Sequence, residues 1–253
     1  MEENEVKEIV PEKKKKKRRK KRYLLKLCVA ALAILGAREF LNSSIFDIQR
    51  ITVENNAYHT SEQIIAMAGV AAGENIFRVS MREVRNRLLA DPYILSVKMK
   101  RALPGNLVLR VAERKEAAFV SDRGDCIVID ENGLVLRRTK TAPLLTELGN
   151  LNVVEGEAGR PLLAEENAAF TDTLNLLKKV KNAELYFKKV DISNIIIRAY
   201  IFDHLICEGT PAHLSENLDA LRQRLLDLKA QGIERGTFKV GGDRYIAWQP
   251  ASE

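Results

Sequence analysis

The sequence predicts an α+β protein with an N-terminal transmembrane helix, then a compact β-α-α-β-β domain, then a mixed β domain with interleaved helices. Three observations carry this prediction. An unbroken basic run feeds directly into an apolar run between Lys13 and Leu41. Between residues 50 and 112, three short stretches alternate apolar and polar residues around two segments with helix-capping signatures. From Ala117 to Gln249, short strand-like stretches follow one another, interrupted by two segments with helical spacing.

The N-terminal stretch decides where the rest of the chain lies. As a helix rising about 1.5 Å per residue, Tyr23 to Leu41 reaches about 28 Å, close to the thickness of a hydrocarbon core. Lys26, Arg38 and Glu39 confine the uncharged part to Leu27–Ala37, which alone is too short to span. Lys26 and Arg38 lie near opposite ends, however, where long cationic side chains snorkel to the headgroups and avoid the roughly 2.5–3.5 kcal/mol of the midplane. A cleaved signal peptide fits less well, because the small-residue pattern near Ala37 is followed at once by charges. A buried helix of a soluble protein would carry a polar face, and Leu27–Gly36 has none. A nucleic-acid or nuclear-localisation tail leaves the apolar run unexplained. The expectation is a single signal anchor over residues 23–41, with residues 1–22 cytoplasmic and the remainder outside by the positive-inside rule.

Charge divides the same way. Residues 1–22 hold 11 of the 41 basic and 5 of the 34 acidic residues, so they carry +6 of the formal +7. The remainder is nearly neutral and has no global electrostatic case for nucleic acid. The run Lys13, Lys14, Lys15, Lys16, Lys17, Arg18, Arg19, Lys20, Lys21 and Arg22 is the candidate site for anionic lipid headgroups, at about 1 kcal/mol per basic residue near a charged surface. Of the three cysteines, Cys28 falls in the apolar run, so Cys126 and Cys207 allow one disulfide by arithmetic without requiring it. The exported residues are numerous enough to bury cores without such staples.

In the exported part, Ile51 and Val53 alternate with Thr52 and Glu54 as in a half-buried strand. Thr60 to Gln63 has capping-box spacing, Ile64, Ile65 and Ala68 form an apolar helical face, and Gly69 suits the position beyond the helix end. Ser80 to Glu83 repeats the signature before Asp91-Pro92 stops a second helix. Strands over Leu95–Met99 and Leu107–Val111 follow, joined by a turn at Pro104-Gly105-Asn106. Two helices are expected to cover one face of this short sheet.

These strings carry a resemblance. Phe46-Asp47-Ile48 after a signal anchor, Gly73-Glu74-Asn75-Ile76-Phe77, Pro92-Tyr93-Ile94, and Arg101-Ala102-Leu103-Pro104 running into Val111-Ala112-Glu113-Arg114-Lys115 resemble, in order and spacing, the FtsQ/DivIB family of bacterial cell-division proteins. The resemblance implies a POTRA (polypeptide-transport-associated) domain over residues 45–115 and a β domain over residues 116–249, with a short tail at 250–253. It covers Lys13 to Lys115 most strongly.

Beyond Ala117, Phe119-Val120, Cys126–Ile129 and Leu134–Leu136 read as strands, with a hairpin turn at Asp130–Gly133. Thr141–Arg160 reads as loop with one short strand. Glu165–Val180 is helical through Phe170, Leu174 and Leu177, and strands are expected over Ala183–Phe187, Ile195–Phe202 and Leu205–Cys207. Leu214–Gln231 reads as one helix with a Leu218, Leu221, Leu225, Leu228 stripe, closed by Gly232. Gly236–Val240 and Arg244–Gln249 form a last hairpin through Gly241-Gly242-Asp243.

A search for chemistry yields no reaction class. His59, His204 and His213 are the three histidines, and no HExxH, GxSxG or phosphate-loop motif is present. His204, Cys207 and His213 lack metal-ligand spacing and a clear fourth ligand. Glu165-Glu166 and Asp130-Glu131 suit dipole partners and turn formers better than an acid–base pair. No catalytic residue, metal, cofactor or small-molecule substrate is expected.

Binding remains, with three surfaces. The final hairpin places Arg244, Tyr245, Ile246, Ala247 and Trp248 near a chain end that suits a sheet edge open to strand addition, although Tyr245 and Trp248 serve equally well to close a core. The resemblance implies that this part receives a peptide from an FtsB/DivIC-type subunit, in a complex that also holds an FtsL-type one. The family usually carries an acidic residue in the penultimate strand, where this chain reads Phe238-Lys239-Val240. The second surface is a POTRA sheet edge. The third is the anchor, whose small residues Ala30, Ala31, Ala33, Gly36 and Ala37 permit helix packing without a GxxxG motif.

The resulting expectation is a non-enzymatic scaffold of the division machinery in the cytoplasmic membrane, at the division septum, that helps position or regulate septal peptidoglycan synthesis. The rivals are a POTRA-containing export or envelope-assembly component, which wants tandem POTRA domains or a barrel, and a membrane-anchored hydrolase.

Overall fold

A computed structural model of the chain describes residues 17–193 and 195–251. Lys13, Lys14, Lys15 and Lys16 of the basic run lie outside the described residues. The described residues open with helix α1 (Lys17–Leu41), which covers the whole of the expected anchor. Because Lys26, Arg38 and Glu39 interrupt its apolar run, no helix among the described residues is long and apolar enough to cross a membrane.

A three-stranded sheet follows. β1 (Arg50–Glu54) pairs in parallel with β3 (Asn106–Glu113), and β3 pairs antiparallel with β2 (Ile94–Ala102), giving the order β1-β3-β2. Between β1 and β2 lie α2 (Ser61–Ala68) and α3 (Met81–Leu89). The α2 capping box forms as read: the Thr60 hydroxyl accepts from the Gln63 N–H, and the Gln63 side chain accepts from the Thr60 N–H. Gly69 closes the helix with a positive φ of 62°, a conformation that costs glycine little. At α3, the Ser80 hydroxyl accepts from the Glu83 N–H. Ile64 and Ala68 of α2 and Val84 and Leu88 of α3 pack on Leu107, Leu109 and Val111, which share one face of β3. The β-α-α-β-β unit is thus a two-layer domain with its helices on one side.

Only Arg114 and Lys115 separate it from a nine-stranded mixed sheet. Its strands, in chain order, are β4 (Glu116–Asp122), β5 (Asp125–Asp130), β6 (Val135–Thr139), β7 (Thr146–Gly149), then β10 (Lys189–Asp191), β11 (Ile197–Phe202), β12 (Leu205–Gly209), β13 (Gly236–Val240) and β14 (Ile246–Pro250). A small ribbon of β8 (Val153–Glu155) and β9 (Leu163–Ala164) precedes α4 (Asn167–Asn182). The spatial order is β14-β13-β12-β11-β10-β7-β4-β5-β6. Helices α4, α5 (Pro211–Glu216) and α6 (Leu218–Ala230) cover one face. There Phe170, Leu174, Leu214 and Leu221 meet Ile127, Leu148, Ala199, Cys207 and Phe238. Phe119, Cys126 and Val128 point to the other face and form a small cluster with Leu145.

Four local expectations are corrected. Thr141–Arg160 holds two strands, not one, and β7 lies inside the sheet between parallel partners β4 and β10. The strand expected over Ala183–Phe187 is a helix exit: Glu184 takes φ 55° and the Leu185 N–H donates to the Val180 carbonyl, so the strand starts only at Lys189. The single helix expected over Leu214–Gln231 is two, because the buried Asn217 side chain donates to the carbonyls of His213 and Gly241 and its φ of −108° breaks the helix. The last strand begins at Ile246, two residues later than read.

The two domains are joined by buried polar chemistry. The Arg114 guanidinium lies 2.8 Å from the buried Asp130 carboxylate, whose other oxygen accepts from the N–H groups of Asn132 and Leu134. The Tyr93 hydroxyl donates to Glu116 at 2.7 Å, and Arg137 donates to the same carboxylate. Burial alone would raise the Glu116 carboxyl, but the hydrogen bonds from Arg137 and Tyr93 hold it below its ordinary value.

Removing the Arg114 side chain strands a buried carboxylate, so Arg114→Ala is expected to cost about 2–3 kcal/mol, read as a lowered urea midpoint with unchanged slope. For Glu116, the folded pKa lies below the unfolded one. Its contribution is therefore present in full above the ordinary value of 4.5 and is lost as pH falls through the lower folded value. The stability gap between the wild type and Glu116→Gln is expected to hold at neutral pH and to close in acid below 4.5, measured as paired urea midpoints across that range.

Candidate functional site

The candidate site is the β13–β14 hairpin at one end of the nine-stranded sheet. The sequence places alternating residues at Phe238, Val240, Ile246 and Trp248, and the antiparallel register sets Phe238 opposite Trp248 and Val240 opposite Ile246. These four face the helix-covered side, where Phe238 and Val240 are buried and Ile246 and Trp248 are half-buried. The Trp248 indole lies 4.7 Å from the Phe238 ring at 52°. Gly236 makes room for it: φ is 141°, and a Cβ there would fall 2.3 Å from the indole. Ala247 sits opposite Lys239 on the other face.

Arg244 and Tyr245 belong to the turn and not to the strand. Asp243 and Arg244 both take positive φ, 52° and 59°, and the turn is closed by the Gly241 N–H donating to the Tyr245 carbonyl. Tyr245 is 61% exposed. The turn is anchored from behind by Asn217, which reaches the Gly241 carbonyl at 3.3 Å. The five residues singled out from the sequence therefore divide in two. Trp248 and Ile246 complete the core, while Tyr245 and Arg244 project from the turn and Ala247 lies on the open face. Sequence reading missed Asn217 and Gly236, and the signals that would have found them are a polar residue within the leucine stripe and a glycine opening a strand.

The other residues weighed for chemistry do not converge. Cys207 lies in the buried β12, where burial pushes its thiol up to about 12, and Cys126 and Cys207 are both free thiols. His59 pairs with Asp91 at 3.1 Å in the β-α-α-β-β domain. Asp130 is committed to its turn and to Arg114, and Glu166 accepts from the backbone and side chain of Asn152. Among the described residues, no group of three or more His, Cys, Asp or Glu side chains is placed to hold a metal ion.

Comparison with known proteins gives this arrangement a class. A family model, "POTRA domain, FtsQ-type", matches residues 46–114. The class this defines is that of the β-α-α-β-β unit, a POTRA domain of FtsQ type. Cell division protein DivIB of Clostridium acetobutylicum is 27% identical over 194 residues, covering 73% of this chain and 77% of that one. Cell division protein FtsQ of Syntrophotalea carbinolica is 30% identical over 162 residues, covering 62% and 55%. DivIB of Clostridium tetani is 26% identical over 202 residues, covering 77% and 76%. Over about three quarters of its length the chain is similar to bacterial cell-division proteins of the FtsQ/DivIB type. The solved extracytoplasmic domain of DivIB from Geobacillus stearothermophilus superposes with a TM-score of 0.31 at 20% identity, covering 47% of this chain and 97% of that one. A match that loose carries no argument.

Gly236→Ala is expected to push the indole off Phe238, at a cost of about 1–3 kcal/mol. Emission from Trp248, the one tryptophan, should move to longer wavelength as the ring is exposed, and the urea midpoint should fall.

Proposed function

We propose that the chain is a non-enzymatic, membrane-anchored scaffold of the division machinery that captures a partner segment by strand addition at β14. The observation that carries this reading is that β14 is the terminal strand of a nine-stranded sheet. An edge strand leaves a row of backbone donors and acceptors that a second chain can extend. Tyr245 and Arg244 at the adjoining turn are the residue types that anchor such contacts. The family supplies the partner class: an FtsB/DivIC-type subunit, together with an FtsL-type membrane protein. Through them the scaffold helps position or regulate septal peptidoglycan synthesis.

The anchor is α1. Every side chain from Arg22 to Leu41 is exposed, including Leu27, Val29, Leu32, Ile34 and Leu35 around its whole circumference. A helix apolar all round is stable only when something covers it, and a bilayer does so if Lys26 and Arg38 snorkel to opposite headgroup layers. The basic run Lys13–Arg22 then holds the N-terminus in the cytoplasm and contacts anionic lipid. The POTRA and β domains lie on the outer side, at the septum.

Truncation after Asp243 is expected to abolish capture of an FtsB/DivIC-type partner in a membrane pull-down while leaving membrane insertion intact. Tyr245→Ala separates binding from folding. Being exposed, the side chain should change stability by less than about 0.5 kcal/mol, whereas loss of an aromatic anchor at an interface should weaken capture by about 2 kcal/mol, roughly thirtyfold. Undiminished capture by the truncated chain would sink the strand-addition reading.

A further inference from the structure

The string Gly73-Glu74-Asn75-Ile76-Phe77 takes no part in the terminal hairpin, and the structure places it at the exit of α1. The buried Asn75 amide donates at 2.9 Å to the carbonyl of Leu41, an acceptor that the helix end leaves without an intrahelical partner, and at 3.4 Å to that of Ser43, which also accepts from the Phe46 N–H. Arg78 donates through Nε to the Asn42 side chain. The Ile76 N–H donates to the Phe46 carbonyl, and Asp47 and Asn75 form an antiparallel bridge. From behind, Arg101 holds the loop through the carbonyls of Ile76 and Val79. Edge-to-face contacts then run from Phe40 to Phe46 at 5.3 Å and from Phe46 to Phe77 at 5.2 Å. The helix does not hang from a flexible tether but is clamped to the POTRA core.

Around this clamp lies a ring of apolar side chains that the protein leaves uncovered: Phe40 is 58% exposed, Leu41 41%, Ile45 55% and Phe77 37%. We propose that this collar docks on the lipid bilayer, seated in the headgroup layer of the leaflet through which the anchor exits, and holds the POTRA domain against the membrane at a fixed tilt. The inference rests on the reading of α1 as a membrane anchor.

Position, continuity and chemistry select lipid as the occupant. With the span ending at Leu41, Phe40 and Leu41 lie at the boundary of the hydrocarbon, and Ile45 follows four residues beyond it. The headgroup layer on each side is about 5–8 Å thick. The collar is continuous with the apolar surface of α1, and phenylalanine and aliphatic side chains are those that sink into the boundary between headgroups and acyl chains. Arg78 spends one donor on Asn42 and has others to offer a phosphate.

The test uses the full chain on a Trp248→Phe background, so that one tryptophan can be placed at will, in vesicles of phosphatidylglycerol and phosphatidylethanolamine without any partner protein. Ile45→Trp and Phe77→Trp should both emit at shorter wavelength than Leu144→Trp in the exposed β6–β7 loop. Both should lose most emission to lipids brominated close to the headgroup. Leu32→Trp should respond most to bromines near the chain end, and Leu144→Trp to neither. Adding Asn75→Ala should reduce quenching at Ile45→Trp while leaving that at Leu32→Trp unchanged. Quenching at Leu32→Trp with none at Ile45→Trp or Phe77→Trp overturns the collar and leaves the anchor standing, which is the outcome if a partner's helix covers this ring instead. No quenching at Leu32→Trp overturns the anchor, and the collar with it.

Discussion

The constraint on which the β domain depends is the pairing of backbone groups at the ends of its nine-stranded sheet. Inside, each strand satisfies its neighbours, but the two outer strands cannot. At β6 the chain deals with this itself. The Val135 N–H donates to the Arg160 carbonyl and the Gly159 N–H to the Val135 carbonyl. Arg137 and Arg138 further along carry charge to Glu116 and Asp122, and charge along an edge discourages pairing with a stranger. β14 reads Ile-Ala-Trp-Gln-Pro and carries no charge. One edge is guarded and the other is open, and the proposed function follows from that asymmetry.

The second constraint lies at the junction. Tyr93 and Arg114 come from the POTRA side, Glu116, Asp130 and Arg137 from the β side, and the two ion pairs share no atom. Because Asp130 also fixes the β5–β6 turn through two backbone donors, the link between domains and the folding of the guarded edge use the same carboxylate. An orientation held this way resists small rotations, since any rotation that lengthens one pair leaves a partly buried charge without its partner. A flexible linker would need none of these residues.

Legibility in the sequence followed the range of the interaction. The capping box at Thr60 and Gln63 and the left-handed Gly69 were readable because every partner lies within one helical turn. The POTRA order was readable because its three strands alternate cleanly. β7 was not: Thr146–Gly149 is four residues long and embedded among glycines and prolines. It is a strand only because β4 and β10, remote in sequence, close on it from both sides. The break at Asn217 was hidden for the same reason, since the Gly241 carbonyl that its amide reaches lies 24 residues away. At the candidate site, the sequence indicated that aromatic residues gather at a terminal hairpin. It could not show that Trp248 turns inward to Phe238 while Tyr245 turns out, because that division depends on where the strand begins.

A scaffold that works by strand addition faces a problem of affinity, because one added strand over a short edge is a modest contact. Confinement to a membrane offsets it. When both partners are anchored in one plane, the second contact becomes effectively intramolecular, and its strength is set by whether the anchored segments can reach each other. Reach is a geometric quantity, and a rigid protein fixes it. On the proposed reading, the clamp at Asn75 sets the POTRA domain relative to α1, the pairs at Arg114 and Glu116 set the β domain relative to the POTRA domain, and the sheet sets β14 relative to both. The open edge is then presented at one height above the bilayer. A partner whose segment emerges at that height gains from confinement, and one whose segment lies higher or lower loses it, so selectivity can arise from distance even where the edge reads little side-chain detail.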